Sequence, residues 1–84
     1  MEKSWFVYIL HCADDTLYTG ITTDIDRRIA EHNEGIGAKY TRGRGPVTLS
    51  HFETLPSKSD ALKREAAIKK LSREEKLSLI GNNF

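Results

Sequence analysis

The apolar positions along the chain change period several times. Residues 5–11, WFVYILH, form an aromatic and β-branched run that predicts a strand. CADDT is polar and turn-like, and LYTGIT at 17–22 reads as the returning strand of a β-hairpin. In TDIDRRIAEHNEG, residues 23–35, Ile25 and Ile29 set a helical stripe with Ala30 nearby. Thr22 or Thr23 is the expected cap, acids crowd the first turn, and Gly35 ends the helix. IGAKYTRGRGP is a long glycine-rich loop, and VTLSHFE alternates as a third strand. LPSKSDALKREAAIKKL opens with Pro56 and a Ser57 or Ser59 cap, then runs as a helix whose apolar face is Ala61, Leu62 and Ile68. Ser72 and Glu75 have capping-box spacing, which predicts a separate last helix before a fraying GNNF tail. The expected order is β-β-α-β-α-α. That is an α+β fold, a three-stranded antiparallel sheet flanked by helices, as one domain over residues 1–84.

Composition adds limits. The single cysteine, Cys12, excludes an internal disulfide and fits a reduced, cytoplasmic setting. The N-terminal apolar run is too short for a signal-peptide core with its cleavage site or for a membrane span, so no membrane partner is expected. Thirteen basic and twelve acidic side chains leave a net charge of +1. That neither demands nor excludes a nucleic-acid partner, because placement of charge matters more than its total.

Four features exceed what folding requires. The first is Gly20, inside a strand where glycine adds chain entropy and packs nothing. A three-residue loop at Ala13–Asp15 would pair Tyr8 with Gly20 and Leu10 with Tyr18, and would put both tyrosines on one face. A two-residue Asp14–Asp15 loop would separate them. The plain alternative is that the tyrosines only fill a sheet face. The second feature is Arg28 with His32, four residues apart and pointing the same way. Arg28 falls at the margin of the buried stripe, where its guanidinium could grip a phosphate, or it is an ordinary surface arginine beside Asp24 and Glu31.

The third is Glu65, which falls between Ala61 and Ile68 on the helical wheel, within the apolar face. A carboxylate there needs a partner. Lys69 supplies a plain one, and a hard cation such as Mg²⁺ a sharper one. The fourth is the stretch from Gly37 to Phe52, which has no acid but carries Lys39, Arg42, Arg44 and His51 with Tyr40 among the cations. It suits a nucleic-acid backbone and a stacked base, with glycine N–H groups free to meet phosphate, or it is a solvated charged loop.

Together these residues resemble the GIY-YIG nuclease domain, in its small single-domain bacterial-type subgroup. The name-giving motifs correspond to Phe6-Val7-Tyr8 and Tyr18-Thr19-Gly20, with nine residues between the tyrosines. DRRIAEHN, GAKYTRGRGPV and ALKREAAIKKL follow in the family's order. The resemblance implies a metal-dependent endonuclease that cleaves DNA phosphodiesters, with RNA as the alternative nucleic acid. Branched, nicked or single-stranded substrates and a place in DNA repair or recombination would fit. It implies Tyr8, Tyr18, Arg28, His32 and Glu65 as catalytic residues, with Glu65 holding Mg²⁺ or Mn²⁺ and Gly20 making room. Lys39, Tyr40, Arg42 and Arg44 would bind nucleic acid. It identifies no protein partner.

A tyrosine would accept or relay a proton from water. Free tyrosine has a pKa near 10, so Arg28 or the metal is expected to lower it. The first motif departs from the family by having Phe6 and Val7 for glycine and isoleucine. The family's downstream asparagine falls near Leu77 here, with Asn82 and Asn83 only later. The competing reading is a non-catalytic nucleic-acid-binding module of the same fold. The two divide on geometry, since an enzyme needs Tyr8, Tyr18, Arg28 and Glu65 to converge.

Overall fold

The computed structural model describes residues 4–36 and 45–81. Its elements are β1 (Trp5–His11), β2 (Leu17–Thr22), α1 (Ile25–Asn33), β3 (Thr48–Leu55), α2 (Lys58–Lys69) and α3 (Arg73–Ile80), in the expected order. The strands form one antiparallel sheet, β2-β1-β3, with β1 central.

The hairpin turn sets the register. Cys12 N–H donates to the Thr16 carbonyl and Asp15 N–H to the Cys12 carbonyl, both at 2.9 Å. Asp15 takes the left-handed conformation, φ 68°, that closes such a three-residue loop. Asp14 braces it by accepting from Thr16 N–H at 3.2 Å and from the Thr16 hydroxyl at 2.6 Å. The loop is therefore Ala13–Asp15. Tyr8 pairs with Gly20 and Leu10 with Tyr18, as the odd-length loop requires.

Alternation then divides the core into two layers. Val7 and Ile9 face α2 and α3, packing with Ile68 and Ile80 and with the half-buried Leu17, Ile21, Leu55 and Leu79. Tyr8, Leu10 and Cys12 face α1, packing with Val47, Tyr18 and Ile29. On β3, Ile9 pairs with His51 and Leu10 with Leu49, so Ser50 is an unpaired bulge residue.

Several local details differ from the sequence expectation. The cap of α1 is Asp24, not Thr22 or Thr23. Its carboxylate accepts the Arg27 N–H at 3.0 Å. An anion at the positive end of the helix gains from the helix dipole, and the Thr22 hydroxyl is engaged by Asp24 N–H at 3.1 Å. Ser57 rather than Ser59 caps α2, while the Ser72–Glu75 capping box of α3 is formed as read. Leu62 does not belong to the apolar face, since it is 46% exposed while Ala61 and Ile68 are fully buried. The tail expectation at 82–84 lies outside the described residues.

Candidate active site

The α1 face of the sheet brings the aromatic and basic candidates together. Tyr8 is 1% exposed, and its hydroxyl lies 3.0 Å from His32 Nε2. His32 reaches it from α1 and is itself buried. Tyr18 completes a three-ring cluster. Its centroid is 6.4 Å from that of Tyr8 and 5.2 Å from that of His32. Tyr8 and His32 meet edge-on at 6.0 Å.

Gly20 lies opposite Tyr8 and is what lets the phenol fit. A Cβ at this position would lie 2.6 Å from Tyr8 Oη, 2.8 Å from Tyr8 Cζ and 3.1 Å from Tyr18 Cε2. The residue that looked like a flaw in the strand is a space-maker.

Arg28 lies one turn before His32 on α1. Its Nη1 donates to Glu31 Oε1 at 2.9 Å, with both side chains about one-third exposed. The guanidinium also interacts with the Tyr8 hydroxyl, and Glu31 first and Tyr8 second raise the pKa of Arg28. The expected lowering of the tyrosine pKa is not what results at Tyr8. Burial pushes its phenol above the ordinary value, and the Tyr18 and Glu65 charges add to the rise. Arg28 pulls the other way but does not prevail. Burial, reinforced by Arg28, lowers the pKa of His32 against an opposing pull from Glu31. At neutral pH the pair is therefore a protonated phenol beside a neutral imidazole. In the tautomer with its proton on Nδ1, His32 accepts the Tyr8 proton at Nε2.

Glu65 approaches from α2, which packs on the other face of the sheet and against the edge strand β2. Its side chain is 19% exposed, and Lys69 Nζ is 3.4 Å from its Oε2. Its charge acts on the Tyr8 phenol, so carboxylate, phenol and guanidinium share one electrostatic neighbourhood. Among the described residues no three His, Cys, Asp or Glu side chains converge as a metal cluster, which leaves Glu65 as a single carboxylate.

His51 does not join the basic loop. It lies on β3, 2.9 Å from Glu53 Oε2, and Arg64 clasps the same carboxylate at 2.7 and 3.0 Å. This network pins α2 to β3 and holds the Glu53 pKa down to about 2, with Arg64 the main cause. Lys39, Tyr40, Arg42 and Arg44 lie outside the described residues. One residue with a role at the site was read only as a plain neighbour, and another escaped the sequence reading. Glu31 orients Arg28. Asn33 holds both backbone groups of Val47, accepting from its N–H at 2.7 Å and donating to its carbonyl at 3.3 Å. Glu31 was visible at helical spacing from Arg28, whereas nothing in the sequence marks the Asn33 clamp.

The family model for the GIY-YIG catalytic domain matches residues 4–78. The chain belongs to the GIY-YIG family. Its relatives include the UPF0213 protein of Halobacterium salinarum, 62% identical over 87% of this chain and 95% of that protein. The UPF0213 protein of Syntrophus aciditrophicus is 60% identical over 99% of this chain and 95% of that protein. Among solved structures, the UPF0213 protein BH0048 of Bacillus halodurans is 50% identical with a TM-score of 0.61, covering 95% of this chain and 85% of that one. The protein EF2693 of E. faecalis is 44% identical with a TM-score of 0.65, covering 96% of this chain and 86% of that one. GIY-YIG proteins are a nuclease superfamily and are generally dependent on divalent metals. No helix among the described residues is long and apolar enough to cross a membrane.

Proposed function

We propose that this GIY-YIG chain is a divalent-metal-dependent endonuclease that hydrolyses DNA phosphodiester bonds, with Tyr8, Tyr18, Arg28, His32 and Glu65 as its catalytic set. The observation that carries the reading is the buried Tyr8–His32 hydrogen bond inside the cluster of Tyr8, Tyr18 and His32 rings, with the Arg28 charge acting on the same phenol. A sheet face that only needed filling has no use for a buried imidazole and a cation acting on one phenol.

Tyr8 serves as a relay rather than as a preformed phenolate. As water attacks phosphorus, its proton passes to Tyr8 Oη while the Tyr8 proton passes to His32 Nε2. The new P–O bond forms as the bond to the leaving oxygen breaks. Arg28 faces the charge that develops on the phosphate oxygens, and Glu31 holds the guanidinium in that orientation. Tyr18 walls the other side of the phenol.

Glu65 would hold Mg²⁺ or Mn²⁺. A half-buried single carboxylate fits a hard cation that keeps most of its waters, and does not fit a structural zinc site. When bound, the ion supplies Lewis-acid polarisation of the phosphate. The cations Lys39, Arg42 and Arg44 would add backbone contacts, and Tyr40 a stacked base. The buried free thiol of Cys12 suits a reducing cytoplasm, and branched, nicked or single-stranded DNA would connect the activity to repair or recombination.

The test is cleavage of several DNA structures and of RNA with Mg²⁺, Mn²⁺ or EDTA. The expected result is metal-dependent cleavage of DNA that falls at least about a hundredfold in Glu65→Gln and Arg28→Ala. Nucleic-acid binding without cleavage, indifferent to metal and to Glu65→Gln, would establish the non-catalytic module instead.

A further inference from the structure

At the hairpin end of the sheet, on the side of α2 and α3, an open cleft of about 200 Å³ is lined by Thr16, Leu17, Arg73 and Lys76. Arg73 and Lys76 are three residues apart on α3 and therefore share a face. Among the described residues no acid lines the cleft. Arg73 has Asp15 as a partner at 3.4 Å, across a half-exposed surface. That carboxylate has a closer partner in His11 Nε2, at 2.6 Å. Lys76 makes no ion pair among the described residues. Two cations thus border a cleft large enough for a phosphate group, and one of them is only loosely engaged.

The cleft opens at the hairpin end of β2, the edge strand that also carries Tyr18. Leu17 faces the α2 and α3 side and Tyr18 the α1 side, so a strand that touches both crosses the open edge of β2. We propose that this cleft is a second phosphate subsite, in which Arg73 and Lys76 receive a backbone phosphate of the same nucleic acid that reaches Tyr8 and Arg28 over that edge. Arg73 exchanges its loose contact with Asp15 for a bidentate grip on the phosphate, and Asp15 stays with His11. The subsite rests on the proposed function in so far as nucleic acid is the ligand. It explains how a small domain positions a strand across its tyrosines, since phosphate contacts fix register without reading sequence.

The experiment is fluorescence anisotropy of a labelled DNA duplex in EDTA, over a series of salt concentrations. It compares wild type with Arg73→Gln/Lys76→Gln and with Lys58→Gln/Lys63→Gln. The second pair removes the same charge from α2, where Lys58 covers Trp5 at the opposite end of β1 from the hairpin. Gln is a good helix former, and melting curves check that both variants fold.

Loss of the subsite is expected to weaken binding several-fold and to reduce the slope of log K against log salt by about 0.9, the contribution of one phosphate. In cleavage assays KM rises while kcat at saturation is kept. Equal slopes and affinities in the two double variants would overturn the proposal, as would wild type failing to bind DNA. The catalytic reading can fall separately. Slope loss without any cleavage keeps the subsite and removes the nuclease, whereas cleavage dependent on Glu65 with an unchanged slope removes only the subsite.

Discussion

Gly20→Ala should damage this protein, although glycine-to-alanine in a strand is normally favourable. Alanine restricts the unfolded chain, and in open space the change would gain about 0.5–1 kcal/mol. At this position the added methyl meets Tyr8 Oη at 2.6 Å and Cζ at 2.8 Å, while ordinary contact begins near 3.4 Å. The phenol must retreat by about 0.8 Å, and Tyr18 Cε2 at 3.1 Å limits where the backbone can move to relieve it. A shift of that size is large enough to take the 3.0 Å bond to His32 out of hydrogen-bonding range. Overpacking of this kind costs about 1–3 kcal/mol, which exceeds the entropic gain and leaves a net loss of roughly 0.5–2 kcal/mol.

A domain of this size changes its melting temperature by about 4–8 °C per kcal/mol, so thermal unfolding resolves the effect easily. Tyr8→Phe removes the atom in the shortest contact. The double variant Tyr8→Phe/Gly20→Ala should therefore recover part of the lost stability, giving a favourable coupling term in the cycle. Gly20→Ala melting at or above wild type, or a cycle with no coupling, would refute the space-making role.

Asn33→Ala should lower the melting temperature by several degrees. It leaves the Val47 N–H and carbonyl without their clamp, at a cost of about 1–3 kcal/mol, and unchanged melting would exclude the clamp. Glu53 has a depressed folded-state pKa, so its stabilising effect is complete above about 4.5 and is lost as pH falls toward about 2. Glu53→Gln should flatten the melting profile over that interval, and an unaltered profile would separate the Arg64 network from acid stability. Alkaline difference spectroscopy should show a phenol that ionises later than free tyrosine, absent in Tyr8→Phe, because burial raises the pKa of Tyr8. His32 titrates below 6.5, its imidazole being buried beside Arg28. Any acid limb of cleavage that depends on His32 should lie below that value, and a limb at or above it would remove His32 from the relay.

The order of elements, the odd hairpin register and the pairing of Gly20 with Tyr8 were all legible in the chain, because each rests on local rules. Strand alternation, loop length and helix spacing act over a few residues, and nothing elsewhere in the protein overrode them here. Cap choice was less legible, since Thr22, Thr23 and Asp24 all have the chemistry. Only the turn that engages the Thr22 hydroxyl assigned the cap to Asp24. Leu62 and His51 were misplaced for a related reason. Helical periodicity cannot say how wide a stripe the sheet will cover, and composition cannot say that Glu53 and Arg64 will capture a histidine from β3.

By itself the sequence determined which side chains are available and, through the two periods, which ones share a face. Tertiary structure decided their chemistry. Burial by α1 raised the Tyr8 pKa against the pull of Arg28, and placed a neutral His32 where it can take the phenol proton. Desolvation depends on everything packed around a group, from α1 and from both strands of the hairpin at once. No local pattern of residues encodes that sum, so the state of the central phenol emerged only when the layers closed over it.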